Sequence, residues 1–337
     1  MTEPLPDRSP ALGALPVARG SARRWLGVVG RAGVAIGILA LLLSRLPTGA
    51  LGAAVARVSP ALWLASVAGF LAGHAVTAAK WGLLVWAAGA TPTPREVARA
   101  HAAGLFANLC LPSLVGGDVV RLGLLVRGGH RTGPVALATL ADRVIDTAAL
   151  VALAALGAAL LPTALDPAAR AALLGGAALL AGATFGGLAA LWLVPPARWP
   201  RPLDRAAHRA REALAELFDR PGVALVAFAL SVAVQAGFVA INVALGRATG
   251  IEIATAAWLL VSPLAKLTAL LPVSLGGIGV REATYVVLLA PFGVAAAPAV
   301  AQSLLWQAVL IAGGLVAGAL ALALGRRAAS ARGGAAS

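Results

Sequence analysis

The chain has 337 residues, 60% of them hydrophobic and only 12% charged, about half the charged fraction of an ordinary soluble domain. That balance excludes a water-soluble all-α protein, whose helices would have to be hidden on every side, and the single cysteine, Cys110, excludes an internal disulfide or a Cys-rich metal site. The formal charge of +14 in so apolar a chain reports orientation in a bilayer and attraction to anionic lipid rather than nucleic-acid binding.

Residues 1–24 are polar, rich in Pro and Arg, and read as a cytoplasmic tail. No small-residue cleavage site of the A-x-A type follows, so 25–44 is read as a retained first span and not as a signal peptide. Hydropathy predicts five further spans at 60–80, 133–160, 170–194, 222–245 and 299–324. Two other apolar stretches, 96–127 and 254–291, are interrupted by one repeated element. LPSLVGGDVVR, Leu111 to Arg121, returns as LPVSLGGIGVR, Leu271 to Arg281, with six of eleven positions identical.

The arms around the first break, Glu96 to Cys110 and Val119 to Arg127, are 15 and nine residues long. At about 1.5 Å per residue neither crosses a hydrocarbon core of about 30 Å. Pro263 is expected to shorten the first arm of the second stretch and Pro291 to end its second arm. Each stretch therefore reads as a hairpin that enters and leaves on one side. With the N-terminus inside, the cytoplasmic segments 1–24, 81–132, 195–221 and 325–337 hold eighteen of the 27 Lys and Arg residues, against five in the external segments, as the positive-inside rule requires. Lys80, followed by Trp81, reads as an interface anchor.

On this assignment the first hairpin dips in from the cytoplasm and the second from outside. The expected fold is an all-α polytopic membrane protein with six spans and two opposed re-entrant hairpins. Its membrane domain, about 25–325, is an inverted-topology repeat, 60–160 against 222–324; 326–337 is a cytoplasmic tail. Eight full crossings are the alternative. Interrupted helices at matching positions of inverted repeats point to a midplane site in transporters. Segment 195–221 joins the repeats, and LDRAAHRAREALAELF within it reads either as an amphipathic helix on the inner leaflet or as a solvated connector.

Glycine pairs let a backbone approach a ligand closely, and the start of a helix offers N–H groups and partial positive charge to a phosphate. Gly116, Gly117, Gly276 and Gly277 precede the two short helices, with Pro112 and Pro272 upstream, and Arg121 and Arg281 sit one turn in, where a bidentate contact is available. The competing reading is structural: Asp118 caps its helix and pairs with Arg121 three residues on. Asp142 and Asp146 share a helix face beside Arg143, either pairing with Arg121 or forming a polar entry or proton-coupling site. Lys266 is a second phosphate contact or snorkels outward. Asn108 hydrogen-bonds the freed backbone or a headgroup, and His74 and Gln235 make interhelical hydrogen bonds. No catalytic motif, nucleotide-binding sequence or metal-ligand spacing occurs, so no cofactor and no enzyme activity are expected.

These segments, FANLCLPSLVGGDVVRLGLLVR with LADRVIDTAAL and LLPVSLGGIGVREATYVVLL, resemble the membrane domain of lysylphosphatidylglycerol synthases and their stand-alone bacterial and archaeal relatives, over roughly residues 25–325. The resemblance implies a lipid flippase in the bacterial cell membrane. The matching positions are Asn108, Pro112, Gly116, Gly117, Asp118, Arg121, Asp142, Arg143, Gly276, Gly277, Gly279, Arg281 and Glu282. The sequence ends at residue 337 without the soluble aminoacyl-transferase domain, so lysine transfer is not expected.

The leading expectation is a flippase or scramblase-type transporter of a phosphate-bearing lipid, aminoacylated or polyprenyl-linked lipids included. Its movement is passive or ion-coupled, with Asp118, Asp142, Asp146 or Glu282 as carriers. The alternatives are a membrane-embedded transferase or accessory subunit acting with a partner transferase, and a structural membrane partner.

Overall fold

The structure, a computed structural model, describes residues 48–110, 116–161, 166–168, 219–269 and 279–333, with single positions and short pieces in 37–44, 171–186 and 208–215. Among the described residues every regular element is helical: α1 (Thr48–Ala56), α2 (Pro60–Ala87), α3 (Pro94–Cys110), α4 (Gly116–Arg127), α5 (Thr132–Ala159), α6 (Pro221–Ala248), α7 (Thr255–Ala269), α8 (Val280–Leu289), a 3₁₀ turn at Ala290–Phe292, and α9 (Ala296–Gly333). The tail 1–24, most of the predicted spans 25–44 and 170–194 and of the connector 195–221, and the motif residues Pro112, Pro272, Gly276 and Gly277 lie outside the described residues.

Local chemistry sets the helix ends. Ser59 accepts the Leu62 N–H at 3.2 Å with Pro60 at the first helical position of α2, the favoured N-terminal pairing. Gly89, at φ 87, and the Ala90 N–H bonded to Val85 O at 3.1 Å close its other end. Thr93 and Glu96 form a reciprocal capping box on α3: the Thr93 N–H donates to Glu96 at 2.8 Å and the Glu96 N–H to the Thr93 hydroxyl at 3.3 Å. Gly279 takes φ 82, open in practice to glycine alone, and its N–H donates to Glu282 at 2.6 Å to start α8.

Among the described residues three helices are long and apolar enough to cross a membrane: α2, α6 and Ala296–Arg326 of α9. The protein is a membrane protein. Another 28-residue helix, α5, carries Asp142, Arg143 and Asp146 near its middle. Two sequence expectations need correction. Trp81 to Ala87, assigned to a cytoplasmic segment, continue α2, because Trp81, Leu84 and Val85 are buried against Val97, Val135 and Ala227. Pro263, expected to shorten its arm, lies inside α7, whose helix runs through it.

α2 packs on α5, α6 and α9, α5 on α7, and α3 on both α4 and α9. Phe70 and His74 of α2 meet Phe238 of α6 at 5.6 Å between rings, while Ala227 lies with Trp81 and Val85, so these two helices run antiparallel. α3 and α4 fold back on each other: Gly104 faces Gly117 near the break, and Glu96 and His130 stand 3.6 Å apart at the far ends. α7 and α8 do the same, with Thr268 bonded to Thr284 at 3.2 Å near their break and Trp258, Tyr285 and Leu289 in one cluster. A Cβ on Gly157 would lie 2.5 Å from the Leu260 amide nitrogen, so only glycine lets α5 approach α7 this closely.

Candidate functional site

Between the two helix pairs lies a cavity of about 540 Å³. Asn108 of α3, Gly117, Asp118 and Arg121 of α4, and Asp142, Arg143 and Asp146 of α5 form one wall. Lys266 of α7 and Arg281 of α8 stand on another, with Gln235 and Asn242 of α6 and Gln307 of α9 between. The remaining lining is apolar, including Leu105, Phe238, Leu310, Ile311 and Leu315. Both motif arginines reach this one space. Gly116, Gly279 and Glu282 do not line it: Glu282 is fully buried, accepting from the Gly279 N–H and, at 3.1 Å, from the Ser303 hydroxyl.

The α4–α5 wall is an ion network. Arg143 grips Asp118 with two bonds, Nε at 2.6 Å and Nη2 at 2.8 Å, a bidentate geometry that guanidinium suits. Arg121 Nε lies 3.0 Å from Asp118, the i,i+3 partner, and its Nη2 donates to Asp142 at 2.9 Å. Its guanidinium also sits 4.7 Å above the buried Trp81 ring. The other Asp142 oxygen lies 3.0 Å from Lys80 Nζ, which also donates to Asp146 and, at 2.7 Å, to the Ser231 hydroxyl. Three cations and three carboxylates thus compensate one another across α2, α4 and α5, with Ser231 of α6 hydrogen-bonded into the set.

Lys80 is 1% exposed, so the interface-anchor reading fails: seven more residues of α2 follow it, and the ammonium points inward to Asp142 and Asp146. The sequence held the signal in Asp142 and Asp146. Their four-residue spacing presents two carboxylates on one helix face, and a buried pair of that kind requires a cation from a neighbouring helix. His74 and His101, whose rings approach at 3.3 Å between Nδ1 and Nε2, also line the cavity.

The α7–α8 wall is built differently. Lys266 Nζ donates to the neutral amide of Gln235 at 2.9 Å and lies 5.4 Å over the Phe238 ring. No carboxylate among the described residues lies within ion-pair distance of it. Arg281 donates to the Gln307 amide oxygen at 2.6 Å. The expected role of the helix starts also changes here. The Gly117 N–H is used by Asn108 Oδ1 at 2.9 Å and the Gly279 N–H by Glu282, so these two donors serve the fold.

Among the described residues no group of three His, Cys, Asp or Glu side chains is arranged to hold a metal ion. The cavity offers an excess of cationic and amide donors beside an apolar surface, an environment fit for an anionic group attached to hydrocarbon. No curated protein and no solved structure matches the chain. The family model described as the lysylphosphatidylglycerol synthase TM region matches residues 28–318, taking in α1 to α8 and most of α9, and the chain belongs to that family.

Proposed function

We propose that the protein is a lipid transporter of flippase or scramblase type. In this reading it admits a phosphate-bearing headgroup into the cavity between the two helix pairs and releases it to the other leaflet. Membership of the family ties the chain to lipid-related function in a membrane. The observation that carries the finer reading is the shared cavity. Arg121 and Arg281, the closing residues of the two motif copies, line a single space together with Lys266 and Arg143.

Ile311 and Leu315 line that space and are also 42% and 55% exposed, which gives acyl chains an apolar exit along α9 while the headgroup stays on the polar walls. An inverted arrangement is part of the proposal, with six spans, two re-entrant pairs and both termini on the cytoplasmic side of a bacterial inner membrane. It is supported by where each pair opens. Glu96 and His130 lie at the end of the bundle where α2 finishes and Arg99 meets Gly325. Leu289 lies with Ile251, at the end where Arg57 approaches Gly250.

The test is leaflet exchange of labelled phospholipids in proteoliposomes, with wild type beside Arg281→Ala at equal amounts of folded protein. Acceleration by wild type that the substitution suppresses supports a phosphate-handling transporter. No acceleration with phosphatidylglycerol, aminoacylated phosphatidylglycerol or a polyprenyl phosphate overturns it and leaves the transferase-associated reading.

A further inference from the structure

We infer that the two copies of the repeated motif have divided their labour. The α7–α8 side, centred on Lys266, is the anion subsite of the cavity, and Arg121 is a structural strut; the ligand class is an anionic phosphate headgroup without an amine. The ligand's identity as a lipid rests on the transport reading above, whereas the position of the subsite rests on the ion pairing alone.

The division begins in the sequence. Aligned by their Pro-Gly-Gly-Arg frames, the copies place Asp118 in the first opposite Ile278 in the second. In the first copy that carboxylate lies 3.0 Å from Arg121 and Asp142 takes a second guanidinium nitrogen at 2.9 Å. The charge of a guanidinium so held, with Trp81 against its face, is already compensated, and drawing it to a phosphate would loosen buried ion pairs. In the second copy an apolar residue stands at that position.

Lys266 supplies the charge on that side. Its neighbours are an amide oxygen and an aromatic ring, which orient an ammonium without neutralising it. It is exposed by surface area, and it is a lining residue of the cavity. Among the described lining residues, the cations Arg121, Arg143, Lys266 and Arg281 outnumber the carboxylates Asp118, Asp142 and Asp146. Each of those carboxylates already carries a cation of the chain, so a ligand ammonium would have to displace one. A phosphate at Lys266 gains a charge-assisted bond and displaces only an amide contact.

Binding to full-length protein in detergent tests this without any transport step. The probes are dioctanoyl phosphatidic acid, phosphatidylglycerol, phosphatidylethanolamine and phosphatidylcholine, with inorganic phosphate and glycerol 3-phosphate as headgroup-only arms. The two anionic lipids should bind more tightly than the two zwitterionic ones and than either water-soluble phosphate. Lys266→Gln should weaken phosphatidic acid binding by about tenfold or more, with an unchanged unfolding midpoint, and Lys266→Arg should restore it. Arg121→Gln should lower the unfolding midpoint, as loss of a buried ion-pair partner requires, whereas Lys266→Gln should not.

Equal binding by Lys266→Gln, or loss of binding in Arg121→Gln with unchanged stability, overturns the subsite. Tighter binding of phosphatidylethanolamine overturns the headgroup class, and inorganic phosphate binding as well as phosphatidic acid overturns the lipid. Wild type that binds through Lys266 yet exchanges no lipid overturns the transport reading alone.

Discussion

Lys80 shows how much one side chain can hold together. Its ammonium contacts Asp142, Asp146 and Ser231 and so ties α2 to α5 and α6. Bringing those charges out of water is costly, and their attraction offsets that cost only while the set is complete. Lys80→Met leaves three carboxylates against two guanidinium groups, with Asp146 stripped of its cation, and unfolding in detergent should show a loss of about 3–5 kcal/mol. The double variant Lys80→Met with Asp146→Asn should recover part of that loss, because the uncompensated charge is then smaller. A single variant that loses less than about 1 kcal/mol would show that the network adds little to stability. Asp142 and Asp146 were legible as a polar face because their spacing is local. Lys80 was not, because its partner lies 66 residues away and Trp81 beside it imitates an interface pair.

At the scale of the element, the α3–α4 pair depends on two glycines meeting. A Cβ at Gly104 would lie 2.7 Å from the Gly117 carbonyl oxygen, and one at Gly117 would lie 2.5 Å from Asn108 Oδ1. Gly123, two turns further along α4, has nothing within 4 Å of its added Cβ. Gly117→Ala should therefore destabilise by about 1–3 kcal/mol through forced separation of the helices, and should slow lipid exchange by shifting the α4 wall of the cavity. Gly123→Ala should be neutral or stabilising by up to about 1 kcal/mol, since alanine is the better helix former. Equal effects at the two sites would remove close approach as the reason for the glycine pair.

The open end of the same pair carries a pH dependence. The Thr93 N–H bond, then the Thr93 hydroxyl and the nearby His130, hold the Glu96 carboxyl below the usual glutamate range. Its folded pKa being the lower one, its contribution is present above the unfolded value and is lost as pH falls through the folded value. The wild-type advantage in melting temperature over Glu96→Gln should shrink as pH falls below the ordinary glutamate range. It will be small, because Glu96 is 37% exposed and screened by solvent.

At the scale of the whole molecule, hydropathy located the long helices and the interrupted stretches because both signals are runs of local composition. It could not read how far α2 continues, since Trp81 to Ala87 are helical by virtue of tertiary burial, nor that the copies differ in electrostatics, since that difference depends on which helix each charge meets. Sidedness is the remaining large-scale question, and two exposed positions answer it. Arg131 precedes α5 at the end of the bundle where α3 and α4 open, and Ala295 precedes α9 beyond the end of α8; both are exposed. The exposed Cys110 is first changed to serine so that it takes no label. If the pairs enter from opposite faces, a membrane-impermeant maleimide should label Arg131→Cys only from the cytoplasmic side and Ala295→Cys only from the other, in line with the clustering of Lys and Arg on the inner segments. Labelling of both from one side would make α7 and α8 part of a different topology and would remove alternating access by inverted halves, while leaving the cavity and its charges in place.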